Sequence, residues 1–269
     1  MPKGKLSSAK PLIGFILGYV LASTKYWLST TRSLAAGFGS SAAVPSAAFD
    51  SIARIAFDRV LHDEDEPQHP RAPFVLAQWV NRTRGGLSDE ARLLLAEKYS
   101  SVESIFEFGL GESTFIANHV GVPRYAGVDS DAAWVTRVRA VVDERFRFYF
   151  GDIGEIQDWG VPLANRSKAF LHYQVAPLMV EPLPFELYMV DGRWRRGCFF
   201  ASFLHASARG STEATVLVHD CHRYEEDIIA SDLFELDSRK GNLCAFKRKT
   251  TTTDRRILES WMEHYTFSG

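Results

Sequence analysis

The segment that most constrains the fold of this chain covers residues 105–114 and reads IFEFGLGEST. Its first four residues have the apolar and aromatic bias of a buried strand, with Glu107 as the one acid. Gly109 and Gly111 bracket a turn, and Ser113 precedes a new apolar run. A strand, a glycine turn and a helix start allow the backbone to approach a ligand at the positive end of the helix. The segment therefore predicts a ligand-binding turn.

A second predicted strand ends in an acid. Residues 125–129 read YAGVD, and Asp129 lies 20 residues after Gly109. That spacing suits a carboxylate that binds ribose hydroxyls. Thr114 occupies the third fingerprint position, where a dinucleotide-binding turn has Gly or Ala for close helix packing. The pattern favours a mononucleoside-type ligand over NAD, and a helix N-cap is the alternative role of Asp129.

Predicted strands and helices alternate along most of the chain. The strands fall near 104–108, 124–129, 146–150, 185–190 and 214–219, and the helices near 113–120, 131–143, 163–175 and 194–208. Such alternation is typical of a parallel sheet covered on both faces. Runs at 232–237 and 243–248 flank the turn signal SRKGN and predict a closing hairpin. We expect further helices from Ser88 to Tyr99 and at 254–265.

The order of these motifs resembles the class I S-adenosylmethionine-dependent methyltransferases. The resemblance spans roughly residues 85–250 and rests on EFGLGEST, GVD, the Gly-Asp pair at 151–152, VDGRWRRGC and LVHD. The last two motifs look like a little-characterised branch of that superfamily. The resemblance implies an α/β, Rossmann-like, mostly parallel sheet closed by an antiparallel C-terminal hairpin, with S-adenosylmethionine as cofactor. It assigns cofactor binding to Glu107, Gly109, Gly111, Ser113, Asp129 and Asp152.

Each of the three cofactor-binding acids has a part in that assignment and a structural alternative. Glu107 would receive the amino-acid end of the cofactor, or else pair with an arginine at the sheet edge. Asp129 would accept from the ribose hydroxyls. Asp152, or the backbone of Ile153, would meet the adenine amino group, or else Asp152 is a turn aspartate. Two tryptophans either border the adenine or pack in the core, namely Trp134 and Trp159.

Two further acids follow the fourth and fifth predicted strands, Asp191 in MVDGR and Asp220 in LVHDCH. Ligand sites in open α/β sheets lie beyond such carboxyl ends, which makes both acids candidates for catalysis. Metal-dependent O-methyltransferases place metal-binding acids at these two strand ends, where Mg²⁺ would lower the pKa of a substrate hydroxyl. In that group an Asn or Asp usually follows the second acid, whereas here Cys221 does. We therefore predict no metal, and Asp191 and Asp220 as the ligands if Mg²⁺ is bound.

Two histidines flank the second of these acids. His219 and His222 lie on either side of Asp220, so one of them could be a general base that Asp220 orients. The assigned catalytic residues are His219, Asp220 and Asp191, and His222 is assigned to substrate binding. Carboxylates brought this close would repel, which requires a positive group between them: a metal ion, a histidinium, Arg193 or Arg195.

The arginines after Asp191 have two interpretations. Arg193, Arg195 and Arg196 could bind an acidic or sugar substrate, or they could pair with Asp191 and Glu186. We assign substrate binding to Arg193. The phenylalanines that follow, at 199, 200 and 203, have helical spacing and are expected in the core.

Composition excludes several classes of protein. The chain has 269 residues, with 31 basic and 33 acidic side chains, so no basic field indicates nucleic acid as a partner. Cys198, Cys221 and Cys244 are too few for a disulfide scaffold, and without a Cys-x-x-Cys pair a structural zinc site is not expected. Cys221 is expected to be a small apolar filler.

The function expected from these residues is methyl transfer to a small-molecule or carbohydrate acceptor. Neither Asn-Pro-Pro-Tyr nor Asp-Pro-Pro-Tyr occurs, so the sequence lacks these N-methylation signatures and an acceptor oxygen is favoured. Two other classes are the alternatives: a non-catalytic binding or interaction protein that keeps the fold, and an NAD-dependent oxidoreductase.

The N-terminal segment suggests membrane attachment or targeting. Lysines precede an apolar run at 11–23 that continues, interrupted by Lys25, to Leu28, and no acid occurs before Asp50. These features predict a signal peptide or a single-pass signal anchor of the ER/Golgi type, with an organellar transit peptide or a buried helix as alternatives. The sequons at 81–83 and 165–167 are compatible with a luminal location. The expected division is a targeting segment at 1–28, a linker with a short helix at 29–70, and a methyltransferase-like domain at 71–269.

Overall fold

A central sheet organises the part of the chain that the computed structural model describes, which is residues 71–76, 86–163, 169–224, 228 and 231–266. The strands in chain order are β1 Ser104–Phe108, β2 Arg124–Asp129, β3 Arg147–Phe150, β4 Ile156–Gln157, β5 Val161–Pro162, β6 Leu187–Val190, β7 Thr215–His219, β8 Phe234–Lys240 and β9 Leu243–Arg248. Seven of them form the main sheet in the order β3-β2-β1-β6-β7-β9-β8, and β4 pairs with β5 in a separate hairpin.

Helices cover both faces of the sheet. They are α1 Asp89–Ser100, α2 Glu112–Val120, α3 Ala132–Arg139, α4 Ala169–Gln174, α5 Ala176–Met179, α6 Arg195–Ala208 and α7 Asp254–His264. Short 3₁₀ turns lie at Asp158–Gly160 and Cys221–Tyr224. Ser88 caps α1 by accepting a hydrogen bond from Ala91 N–H, as the sequence predicted.

The sheet has the topology that the sequence predicted. Strands β1, β2, β3, β6 and β7 are parallel, whereas β9 is antiparallel to both β7 and β8. The chain leaves β1 towards β2 on one side, and β6 pairs with β1 on the other side. The order therefore reverses between β1 and β6, and ligands bind at the carboxyl ends of strands at such a switch point. The predicted parallel sheet with a closing antiparallel hairpin is confirmed.

The two faces of the sheet bury different side chains, because strand residues alternate between them. One face packs Phe106, Phe108 and Val218 against the phenylalanines of α6, which are buried as expected. The other face packs Ile105 and Leu217 against α1 and α2. The polar residues on the odd-numbered positions, Glu107, Asp191 and His219, consequently share the α1 and α2 face.

Several element boundaries differ from those predicted. The helix expected at 131–143 ends at Arg139. The one expected at 163–175 is two short helices, and residues 164–168 lie outside the described part. The first hairpin strand runs to Lys240 and turns at Gly241, whose φ of 56° explains the glycine. The hairpin β4–β5 was not predicted, because its strands are only two residues long.

The prediction of a membrane-spanning anchor has to be corrected. Among the described residues, no helix has both the length and the apolar character needed to cross a membrane. The predictions for the run at 11–28, the linker at 29–70 and the sequons at 81–83 and 165–167 all fall outside the described residues.

Candidate active site

The glycine turn begins with a position where the protein itself requires glycine. Gly109 has φ of 90°, a backbone conformation that side chains disfavour. A Cβ there would lie 2.6 Å from Gly192 Cα and 2.8 Å from the carbonyl carbon of Asp191. Gly109 N–H donates to Val128 O at 2.8 Å. The turn after β1 is thus packed directly against the backbone at the end of β6.

Gly111 differs, because neither strain nor a contact in the described structure requires a glycine there. Its φ of −175° is extended backbone that any residue adopts, and a Cβ there would meet no atom within 4 Å. Its N–H donates to Thr114 Oγ1 at 3.0 Å, which caps α2. The position faces open space at the positive end of a nine-residue helix.

Glu107 lies buried beneath this turn. It accepts hydrogen bonds from the hydroxyls of Ser113, Thr114 (2.7 Å) and Tyr125. Burial raises the pKa of Glu107 to about 8, although the bonds from Ser113 and Thr114 oppose the shift. Its partners are therefore hydroxyl groups, whereas the alternative interpretation of the sequence expected Glu107 to pair with an arginine. The network fixes the start of α2 to β1 and β2.

Asp129 ends β2 and faces the turn. Its Oδ2 accepts from Leu110 N–H and its Oδ1 from Asp131 N–H, both at 2.9 Å. Burial raises the pKa of Asp129, against these backbone donors. Asp131, and not Asp129, caps α3 by accepting from Ala133 and Trp134 N–H. Ser130 contributes a further backbone hydrogen bond, so the carboxylate of Asp129, with about four lone-pair sites, keeps at least one for another donor.

The residues predicted on the adenine side differ in their contacts and exposure. Asp152 is exposed, and its Oδ1 accepts from Gly154 N–H at 2.9 Å, which is the turn geometry of the alternative interpretation. Trp134 lies over the glycine turn and donates from Nε1 to Leu110 O at 2.8 Å. Trp159 is 81% exposed, which excludes the core-packing alternative for it and leaves a place beside the adenine as the prediction.

The carboxyl ends of β6 and β7 bring Asp191 and Asp220 together around one guanidinium. Arg195 lies 2.7 Å from Asp191 Oδ1 and 3.2 Å from Asp220 Oδ2. It also donates to His219 O at 2.8 Å and to Gly192 O at 3.1 Å. Of the positive groups considered from the sequence, Arg195 is therefore the one that separates the two carboxylates.

His219 is oriented by the acid of the neighbouring strand. Its Nδ1 lies 2.9 Å from Asp191 Oδ1, whereas its Nε2 is 4.0 Å from Asp220 Oδ1. Asp191, and not Asp220 as expected, is thus the orienting acid. Burial lowers the pKa of His219, but the hydrogen bond and charge of Asp191 outweigh it and raise the pKa above its ordinary value. Nε2 is buried and has no hydrogen-bond partner among the described residues.

Asp220 follows β7 directly and belongs to the same cluster of charged side chains as Arg195 and His219. Burial would raise its pKa, but His219, Arg195 and a hydrogen bond from Asn242 together hold the pKa below its usual value. Asn242 Nδ2 donates to Asp220 Oδ1 at 2.9 Å. The backbone at Asp220 has φ of 55°, an uncommon conformation that occurs often at functional sites.

The arrangement does not fit a magnesium ion. Mg²⁺ needs near-octahedral oxygen ligands, whereas the space between Asp191 and Asp220 holds the guanidinium of Arg195. Within the described ranges, no group of three or more His, Cys, Asp or Glu side chains could hold a metal ion.

The two residues assigned to substrate binding lie at the rim of this cluster. Arg193 is half-buried and follows Gly192 directly, and His222 is exposed on the 3₁₀ turn after Asp220. Glu186, the other acid considered for the arginines, accepts instead from Glu103 N–H at 3.4 Å.

Sequence reasoning missed three contributions to the site. Cys221 is not a filler but forms a disulfide with Cys244, whose Cα lies 5.9 Å away, and this bond ties the end of β7 to β9. Asn242 gave no signal, because a turn asparagine is common. Tyr99 lies fully buried, its hydroxyl has no hydrogen-bond partner in the described structure, and burial and the charges of Glu107 and Asp191 raise its pKa.

Comparison with solved structures identifies proteins that share this fold. A methyltransferase-like protein from Silicibacter pomeroyi DSS-3 matches at 24% identity and a TM-score of 0.55, over 69% of this chain and 98% of that one. A Podospora anserina methyltransferase bound to S-adenosylhomocysteine matches at 12% identity and a TM-score of 0.43, over 79% of this chain and 100% of that one. A Bacillus cereus O-methyltransferase bound to the same ligand matches at 13% identity and a TM-score of 0.38, over 71% of this chain and 94% of that one.

The sequence itself matches no protein-family model and no curated protein. At 24% identity the first of these structural likenesses is one of fold, and the two with TM-scores below 0.5 add nothing to it. The chain has the mostly parallel, hairpin-closed fold of the class I S-adenosylmethionine-dependent methyltransferases.

Proposed function

We propose that this protein is an S-adenosylmethionine-dependent methyltransferase that acts on an oxygen of a small-molecule acceptor. The observation that carries the proposal is the position of Gly111. A Cβ at Gly111 would meet no atom within 4 Å, Asp129 holds the N–H of the preceding residue, Leu110, and neither strain nor a contact in the described structure requires a glycine there. A ligand that needs close approach to the backbone does account for it.

The residues of the turn fit the cofactor. Asp129 would accept from a ribose hydroxyl with the carboxylate lone pair that its backbone donors leave unused. The glycine turn and the first N–H groups of α2 would receive the amino-acid end. Glu107 would act beneath it, through Ser113 and Thr114, by holding this turn in place. When bound, the cofactor supplies an electrophilic methyl group attached to a positively charged sulfur.

The cluster after β6 and β7 supplies a base on the acceptor side. His219 Nε2 would take the proton of an acceptor hydroxyl as its oxygen attacks. Asp191 holds the other ring nitrogen at 2.9 Å, and Arg195 fixes Asp191. Because Gly109 packs against Gly192, the base and the glycine turn belong to one packed unit, which favours in-line transfer by positioning.

Calorimetric titration of the full chain with S-adenosylmethionine, S-adenosylhomocysteine and NAD tests the proposal. We expect the first two to bind and NAD not to bind. Asp129→Asn should weaken S-adenosylhomocysteine binding about 10- to 150-fold, because a charged acceptor contributes about 1.5–3 kcal/mol. Asp131→Asn is the matched control, since asparagine also caps helices. Binding of NAD alone, or equal affinities for both variants, would refute the assignment.

A further inference from the structure

One arginine beside the proposed acceptor site, Arg193, has no carboxylate partner among the residues that the structure describes. Arg193 is half-buried, and its Nε is buried without a hydrogen-bond partner in the part of the chain that the structure describes. Burial and the neighbouring charge of Arg195 both lower the pKa of Arg193. A guanidinium that gives up hydration without gaining a carboxylate is costly, so the position calls for an explanation.

The nearby carboxylates are already paired with other cations. Asp191 is shared by Arg195 and His219, and Asp220 by Arg195 and by Arg223 at 3.9 Å. Among the described residues, both acids are therefore already paired with other cationic groups.

The backbone holds Arg193 in place. Its N–H is hydrogen-bonded to the Tyr173 hydroxyl, and its carbonyl accepts from the Cys198 thiol at 3.3 Å. The next residue, Trp194, has φ of 49°, which is costly for a bulky side chain and is found mostly where function requires it. The preceding residue, Gly192, touches the glycine turn. Arg193 is thus presented from a fixed backbone at the edge of the cofactor crevice.

We propose that Arg193 binds an anionic group, a carboxylate or phosphate, of the methyl acceptor. The inference rests on the proposed function and narrows its substrate class from small molecules in general to acidic ones. Guanidinium groups bind such anions through two parallel N–H donors, which fixes orientation as well as position. Arg193 would hold the acid group while His219, on the neighbouring strand end, meets the hydroxyl.

Thermal unfolding of the full chain with two probes, inorganic phosphate and malonate, tests this. Sodium chloride at equal ionic strength is the salt control. We compare wild type, Arg193→Met, Arg193→Lys and Arg255→Met, which removes an 86% exposed arginine on α7. At ten times the dissociation constant, a probe should raise the melting temperature of wild type and Arg255→Met by about 3–6 °C. Arg193→Met should not respond, and Arg193→Lys should respond partly.

A parallel titration with S-adenosylhomocysteine separates the possible failures. The proposal stands if Arg193→Met binds S-adenosylhomocysteine within about threefold of wild type while losing the response to the probes. An equal response of both methionine variants would mean that the anions bind adventitiously, and would overturn it. Loss of S-adenosylhomocysteine affinity in Arg193→Met would place the anion on the cofactor instead. Failure of wild type to bind S-adenosylhomocysteine would refute the proposed function itself, whatever the probes do.

Discussion

The same small change, glycine to alanine, should have opposite consequences at two positions of the glycine turn. At Gly109 the added methyl group meets φ of 90° and a backbone atom 2.6 Å away. A disfavoured backbone conformation costs about 1–3 kcal/mol, and overpacking against atoms that cannot move aside costs about as much again. Gly109→Ala should therefore lower the free energy of unfolding by about 2–6 kcal/mol, or the melting temperature by roughly 5–20 °C.

At Gly111 the added methyl group enters open space on extended backbone. The gain from a less flexible unfolded chain, about 0.4–1 kcal/mol, offsets the loss of a better N-cap residue. The melting temperature of Gly111→Ala should thus stay within about 4 °C of wild type. A methyl group inserted between backbone and ligand costs about 1–3 kcal/mol, so the affinity for S-adenosylhomocysteine should fall about 5- to 150-fold.

Circular dichroism melting and calorimetric titration of both variants check this pair of outcomes. A Gly109→Ala variant that melts like wild type would show that the contact between the glycine turn and β6 is not formed. A Gly111→Ala variant, or the bulkier Gly111→Val, that binds S-adenosylhomocysteine with wild-type affinity would show that the ligand does not approach this turn. The second result would remove the observation on which the proposed function rests.

Four further predictions follow from charges and bonds elsewhere in the site. Asp191→Asn should lower the pKa of His219 in an NMR titration of the imidazole, because the partner that raises it loses its charge. In wild type, turnover should rise with pH through a midpoint above about 6.5, as the base loses its proton. Glu107 holds its proton up to about pH 8, whereas the unfolded chain releases it near its ordinary pKa of 4.5. Stability should therefore fall as pH rises between these values, by a few kcal/mol, and Glu107→Gln should flatten that slope in urea unfolding. Dithiothreitol should lower the free energy of unfolding by about 3 kcal/mol, because the bond between Cys221 and Cys244 closes a loop across 23 residues.

Each of these has a result that contradicts it. An unchanged His219 titration in Asp191→Asn would mean that Asp191 does not orient the ring. A Glu107→Gln variant with the wild-type slope between pH 5 and about 8 would place the proton uptake on another group. Equal stability with and without reductant would mean that the disulfide does not form, and Cys198→Ala, which removes the thiol outside the bond, provides the matched control for the reductant.

Most of the fold could be predicted because its signals are local. Strands such as Ile105–Phe108 are short apolar runs bounded by glycine or an acid, and parallel pairing follows from their alternation with helices. Boundaries were less accurate where packing, and not a sequence signal, ends an element, as at Arg139. The chain direction of strands also predicted that Asp191 and Asp220 would meet at one edge of the sheet, because parallel strands present their carboxyl ends together.

The partners within that edge could not be predicted, because they depend on which face a side chain takes. Asp191 and His219 both lie on the α1 and α2 face, and this brings the imidazole to the acid of the neighbouring strand. Sequence proximity favoured Asp220 as the partner, although a residue and its successor in a strand point to opposite faces. Arg195 and Arg193 were equally good candidates to separate the acids, and only the structure distinguishes them, because Arg195 begins α6 and contacts both carboxylates.

The glycines of the two main motifs fall into two groups, those that packing requires and one that packing does not require. Gly109 of the first motif and Gly192 of VDGRWRRGC are 83 positions apart in sequence, yet each is explained by what packs on it. Gly109 lies against Gly192, and a Cβ at Gly192 would lie 1.8 Å from the Tyr173 hydroxyl. Their contact joins the glycine turn to the strand end that carries Asp191. Gly111 differs from both, because neither strain nor a contact among the described residues requires a glycine there, and several other residues cap a helix equally well. A ligand that approaches the backbone closely would account for this glycine, and for that reason the proposed function depends on Gly111.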